Sequence, residues 1–133
     1  MQVSKEALMG HRIKNPSTIY AIRCIKNGKV YIGRTQRFEQ RIREHWLDLK
    51  RGFKGNMRNP SFQNDFDRYG EECFTVYILE ENVPPAAAND REAFWIAEYR
   101  ATHPAYGYNK LNGDNEPAFK VSMGLPPKPV DPF

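Results

Sequence analysis

A chain of 133 residues, 40% hydrophobic and 27% charged, has the size and balance of one soluble domain that can bury a core without staples. No apolar run approaches the roughly 18 residues of a membrane span, and the N-terminus MQVSKEALMGHRIKN lacks the apolar stretch of a signal peptide, so the expectation is a cytoplasmic protein with no membrane partner. The net charge of +4 is uneven: residues 23–58 carry eleven Lys/Arg against three Asp/Glu, and residues 64–98 carry two against nine, which fits either one face that attracts a polyanion or two ordinary solvated faces.

Residues 1–16 are polar and without period, and read as an arm. The runs TIYAIRCI (18–25) and KVYIGRT (29–35) flank Asn27-Gly28, the pattern of a β-hairpin. A two-residue turn there pairs Tyr20 with Thr35 and leaves Tyr31 opposite Cys24. The two tyrosines then share a face but stand about 13 Å apart along the strands. Bringing both hydroxyls to one point needs a bulge or another register. Residues 37–51 predict a helix with Phe38, Ile42, Trp46 and Leu49 on one stripe and Gly52 as its stop. A basic loop (53–59) follows. Asn59-Pro60 caps a second helix through Tyr69, which Gly70 ends. The run CFTVYILEE (73–81) predicts a third strand, Pro84-Pro85 a break, and residues from about 88 to 102 a last helix. GYNKLNGD (107–114) reads as a loop, and the proline-rich residues 114–133 as a tail. The order β-β-α-α-β-α predicts an α+β fold over residues 17–113, a three-stranded antiparallel sheet with packed helices. Cys24 and Cys73, in apolar strand-like segments, read as buried thiols in preference to a disulfide or metal pair.

Some residues sit awkwardly in a purely structural reading. Glu92 precedes Trp95, Ile96 and Tyr99 at helical offsets, which places a carboxylate in an apolar stripe. Such a charge needs a partner or a metal; the alternative is that it lies near the helix N-terminus, where negative charge is favoured. Arg41 and His45, four apart, share a helix face at the edge of the first stripe. They suggest a phosphate site, or else a satisfied core histidine beside a solvated arginine. Gly33 inside a strand marks close approach by a ligand or by backbone.

Thr18-Ile19-Tyr20 and Tyr31-Ile32-Gly33, then Arg41 eight residues on and His45 four further, resemble the GIY-YIG nuclease family in its phage homing-endonuclease branch. FDRYGEECFTVYILEE (66–81), Asp90-Arg91-Glu92 before Phe94-Trp95-Ile96, and Gly107-Tyr108-Asn109 extend the resemblance. Thr18 replaces the motif's first glycine, and Lys54 stands where some homing endonucleases carry a second histidine. The resemblance implies hydrolysis of DNA phosphodiester bonds with one Mg²⁺ or Mn²⁺ ion and no organic cofactor. It implies Glu92 on the metal, Tyr20 as general base assisted by His45, and Arg41 clamping the phosphate. Tyr31 would position water or phosphate, and Asn109 would orient the site. Gly33, Arg34, Lys50, Arg51 and Lys54 would face DNA, with Gly33 giving its backbone room. The rival reading is a catalytically silent DNA-binding module of the same fold. An RNA-directed domain is disfavoured, since no RNP-type aromatic run or GXXG clamp is present. The residues after Asp114 are too few for the separate recognition domain that homing enzymes usually carry.

Overall fold

The structure, a computed structural model, describes residues 13–52 and 59–110. Most of the predicted arm, Lys54 with most of its loop, and the proline-rich tail lie outside the described residues.

Strands β1 (Ser17–Cys24) and β2 (Val30–Thr35) pair antiparallel, with Tyr20 opposite Gly33 and Ile22 opposite Tyr31. This register differs by two residues from the one a two-residue Asn27-Gly28 turn would impose. That turn needs left-handed backbone at both central residues. Gly28 has it, at φ 79°, and Asn27 does not. Asn27 is committed elsewhere: its Oδ1 accepts from the Lys29 N–H at 3.0 Å, and its Nδ2 donates to Asp65 at 2.8 Å. The Gly28 N–H instead closes on the Cys24 carbonyl at 2.7 Å, and the turn spans Ile25 to Gly28. The longer turn brings the two tyrosines a ring's width apart.

Helix α1 (Phe38–Arg51) and helix α2 (Pro60–Tyr69) follow, then a short 3₁₀ turn (Glu71–Cys73) and strand β3 (Phe74–Val83). The Asn59 side chain caps α2 as the sequence predicts, accepting from the Phe62 N–H at 3.2 Å. Helix α3 (Pro85–Tyr99) starts three residues earlier than expected. Pro85 does not break it; it occupies the first helical position, where a missing N–H costs nothing. At the far end Arg100 takes left-handed backbone, and the N–H groups of Arg100 and Ala101 return to Ala97 and Ile96, a Schellman-type stop.

The sheet runs β2-β1-β3, all antiparallel, so β1 is central and buried on both sides. Strand alternation then sorts the side chains. Ile19, Ala21, Val30 and Ile32 face α3 and pack with Tyr77, Val83, Ala88 and Tyr99. Tyr20, Ile22 and Cys24 face the other way, against Leu49 of α1 and Phe62 and Phe66 of α2. Cys24 and Cys73 are both buried free thiols. The fold is α+β as predicted, with helices on both faces.

The outer edge of β2 is closed by the last described segment. Gly107 bridges in parallel to Val30, and the Tyr108 N–H donates to the Val30 carbonyl at 2.8 Å. Asn109 continues the pairing through its side chain: its Oδ1 accepts from the Ile32 N–H and its Nδ2 donates to the Ile32 carbonyl, each at 2.8 Å. What reads as a loop in the sequence therefore acts as a substitute strand that satisfies an exposed edge.

Candidate active site

Tyr20 and Tyr31 are diagonal neighbours on one face of the hairpin, with ring centroids 6.4 Å apart. The first two turns of α1 lie over them. Phe38 packs edge-on to Tyr20 at 5.9 Å, and His45 reaches in two turns later. The His45 Nε2 is 2.8 Å from the Tyr20 hydroxyl, and its ring lies 5.2 Å from that of Tyr31, which stacks in turn on Phe62. His45 is 9% exposed and Tyr20 only 1%. Arg41, one turn before His45, directs its guanidinium charge at both phenols and is anchored to Glu44 at 3.1 Å.

The space over Gly33 is not open. A Cβ built there would overlap the hydroxyl and ring of Tyr20. Glycine is required because the phenol lies across the neighbouring strand, which corrects the expectation of room for a DNA backbone.

Burial and the nearby Arg41 cation push the His45 imidazole down to about 4, so it is neutral at neutral pH. Tyr20 goes the other way. Burial, with help from the Tyr31 and Glu92 charges, holds its phenol well above the usual tyrosine range, and Arg41 offsets only part of this. Tyr31 is raised by burial as well, against the pull of Arg41. The resting cluster is therefore a protonated phenol hydrogen-bonded to a neutral imidazole, next to a fixed cation.

Glu92 reaches this region from the opposite face of the sheet. It is the eighth residue of α3, beyond the first turn, so the helix N-terminus does not account for it. Its side chain is 22% exposed and lies 3.1 Å from the Nε of Arg34, at the end of β2. Burial raises its carboxyl above the ordinary range, and Arg34 partly restores it. A partly desolvated carboxylate whose counter-ion is a guanidinium is a spot that calls for positive charge, and its hard oxygens suit Mg²⁺ or Mn²⁺. Among the described residues no cluster of three His, Cys, Asp or Glu exists. The donor set fits one ion held by Glu92 with water and substrate oxygens completing the shell, and does not fit an all-protein cage.

Several sequence-predicted residues lie elsewhere. Asn109 contacts β2 backbone and touches neither phenol nor imidazole in its hydrogen bonds. Lys50 and Arg51 lie about 14 Å further along α1 than Arg41, paired with Glu71 at 3.2 Å and Asp48 at 3.9 Å. Arg34 engages Glu92. Sequence reasoning missed Glu44, although its place three residues after Arg41 on a helix is a readable signal. It also missed Glu80, which accepts from Arg91 Nε at 2.7 Å and Trp95 Nε1 at 2.8 Å and so staples α3 to β3 on either side of Glu92. Beside Arg41 lies an open recess lined by Thr35, Gln36, Arg37, Gln40, Arg41 and Glu44. A second recess, on α2, is lined by Asp65 and Asp67 among others, an unfavourable wall for a polyanion.

The site is thus a paired-tyrosine hairpin under an Arg/His helix, with a carboxylate arriving from the last helix. The sequence matches the GIY-YIG catalytic domain over residues 16–109, and the chain belongs to that family. Over 101 residues it is 35% identical to intron-associated endonuclease 1 of Enterobacteria phage T4, a match covering 74% of this chain and 36% of that protein. The chain thus spans about a third of the length of that curated relative. The catalytic domain of homing endonuclease I-TevI superposes with a TM-score of 0.62 at 35% identity, covering 72% of this chain and 99% of that one. A mutant form of the same catalytic domain gives 0.61, covering 72% and 94%.

Proposed function

We propose that this domain hydrolyses DNA phosphodiester bonds using one Mg²⁺ or Mn²⁺ ion. The observation that carries the reading is the 2.8 Å contact between the Tyr20 hydroxyl and the neutral His45, beside the Arg41 charge. Arg41 receives the scissile phosphate, for which its planar fork is suited. Burial raises the Tyr20 phenol and so disfavours a standing phenolate before the reaction. Tyr20 passes its proton to the His45 Nε2 in the same event in which its oxygen takes one from the attacking water. Tyr31, diagonal to Tyr20, holds water or a phosphate oxygen by hydrogen bond. Asn109 is a positioning residue: by fixing the Ile32 backbone it fixes Tyr31 and Gly33 on either side. Glu92 would hold the metal, which when bound polarises the phosphate and stabilises the leaving 3′ oxygen. Arg34, Lys50 and Arg51 would follow the DNA backbone.

The test is incubation with single-stranded, duplex, nicked and flapped DNA, with and without Mg²⁺ or Mn²⁺. Metal-dependent cleavage is expected in the wild type and should vanish in Glu92→Gln, whose melting temperature stays at or above wild type because a desolvated charge is gone. No cleavage of any form by the wild type would leave a silent DNA-binding module. Undiminished cleavage by Glu92→Gln would remove Glu92 from the metal.

A further inference from the structure

Arg34 and Glu92 come from opposite ends of the chain's charge asymmetry and meet at the rim of the α3 face, where the alternation that buries Val30 and Ile32 brings out residue 34. The pair differs from its neighbours. Arg91–Glu80 and Arg41–Glu44 are hydrogen bonds as well as ion pairs, at 2.7 and 3.1 Å. Arg34 approaches Glu92 through Nε at 3.1 Å, and among the described residues Glu92 accepts no hydrogen bond. Arg34 is 41% exposed against 22% for Glu92, so the cation is the partner with solvent at hand and the carboxylate is the one that needs company. A half-exposed, poorly aligned ion pair is weak and readily exchanged.

We propose that Arg34 is an exchangeable counter-ion. Its guanidinium holds Glu92 in the metal-free protein, a divalent ion displaces it, and the released guanidinium turns outward to a phosphate of the DNA backbone beside the scissile bond. This rests on the reading of Glu92 as the metal carboxylate. Two cations on one partly desolvated carboxylate repel strongly, so ion and guanidinium cannot share it at close range. The displaced Arg34 then lacks an anion, and a backbone phosphate supplies one. Metal and DNA therefore bind with positive coupling, each easing the entry of the other. The device also gives the charged Glu92 a partner whenever the ion is absent.

The experiment uses the metal alone. In the full chain, the side-chain Nε–H resonance of Arg34, assigned by its loss in Arg34→Gln, and the carboxyl carbon of Glu92 are followed by NMR while Mg²⁺ is added. Mn²⁺ affinity is measured by calorimetry on wild type and Arg34→Gln. The expected result is a shift of the Glu92 carbon, movement of the Arg34 Nε–H to the position it already holds in Glu92→Gln, and Mn²⁺ binding roughly five-fold tighter in Arg34→Gln, the worth of a weak pair. If the Glu92 carbon responds while Arg34 stays in place and Mn²⁺ affinity does not change, the exchange is wrong and the metal reading stands. If the Glu92 carbon does not respond at all, the metal reading fails and takes the exchange with it. If Arg34→Gln folds poorly, Arg34→Lys, which also lacks the Nε–H but keeps the charge, assigns the resonance, and the wild-type titration decides the matter.

Discussion

The two faces of the sheet are built from the same strands by different chemistry. Under α3 the contacts are aliphatic and aromatic, with Ile19, Ala21, Val30 and Ile32 packed on Tyr77, Ala88 and Tyr99. Under α1 and α2 the strands present a phenol and receive an imidazole, His45 on Tyr20, inside an aromatic cluster with Tyr31, Phe38 and Phe62. The first face gains from burial alone, about 1.5–3 kcal/mol for each large apolar side chain. The second gives up part of that gain to hold titratable groups in unfavourable protonation environments, which is the usual mark of a functional site. Even so, the α3 face is not idle, because it carries Glu92, whose charge acts on the Tyr20 and Tyr31 phenols of the other face.

The largest effect expected from breaking the second face is at Arg41. Arg41→Lys preserves the charge and so most of the DNA affinity, but loses the fork. The single-turnover cleavage rate should fall on the order of 10²-fold if the contact tightens in the transition state. Equal losses in affinity and rate would make Arg41 a general DNA-binding cation.

His45 distinguishes the faces by pH. Its folded pKa of about 4 lies below the unperturbed 6.5, so the unfolded chain binds the extra proton first. The stabilising contribution is fully present above pH 6.5 and is lost as pH falls from 6.5 to about 4, a change of about 3 kcal/mol for this group. Chemical denaturation of wild type across that window should show the slope, and His45→Ala should flatten it. Ile32→Ala, on the α3 face, should cost about 2–5 kcal/mol with the slope unchanged. In cleavage assays the His45 part of the acid limb should lie below the 6.5 of a free imidazole and should be absent in His45→Ala, while protonation of Glu92 should still lower the rate of both proteins in acid. A slope that survives in His45→Ala places the proton uptake elsewhere.

Gly33 tests the packing of the same face. Gly33→Ala should cost about 1–3 kcal/mol through overlap with Tyr20. The nearest atom is the Tyr20 hydroxyl oxygen, so the cost should shrink in a Tyr20→Phe background, measured as a double-mutant cycle on thermal unfolding. Additive costs would mean that the backbone moves instead of the ring.

Much of this was legible from residue order. The period of α1, the Asn59 cap and the two β-rich runs locate the elements, and helical arithmetic places Arg41 and His45 on one face. The hairpin register was not legible, because nothing near Asn27 in the sequence shows that it lacks the left-handed backbone a two-residue turn needs and bonds instead to Asp65, 38 residues away. Pro84-Pro85 reads as a break, yet its second proline suits a helix start, so α3 begins three residues before the expected position. Charge counting along the chain also overstated the asymmetry. Lys50 pairs with Glu71 and Arg34 with Glu92, and both pairs join the basic segment to the acidic one.

Pairing with carboxylates also sets the smallest expected effect, at Lys50 and Arg51. Each phosphate contact neutralised contributes about 0.9 to the slope of log affinity against log salt. Two unencumbered cations would remove roughly 1.8 when both are replaced by Gln. Both are already engaged, Lys50 with Glu71 and Arg51 with Asp48, through side chains more than half exposed. Such exposed pairs are weak, and a phosphate can displace the carboxylate, but the carboxylate then stays nearby and repels the backbone. The double substitution should therefore lower the salt slope by less than 1.8 and weaken binding to all duplexes alike, since phosphate contacts carry no sequence. Replacing Glu71 and Asp48 by Gln and Asn should raise affinity at low salt, which separates competition by the acids from mere distance to the DNA. Fluorescence anisotropy over a salt series reads both. A salt slope unchanged in the Lys50/Arg51 double mutant would put the DNA path away from the end of α1 and confine it to the Arg41 end.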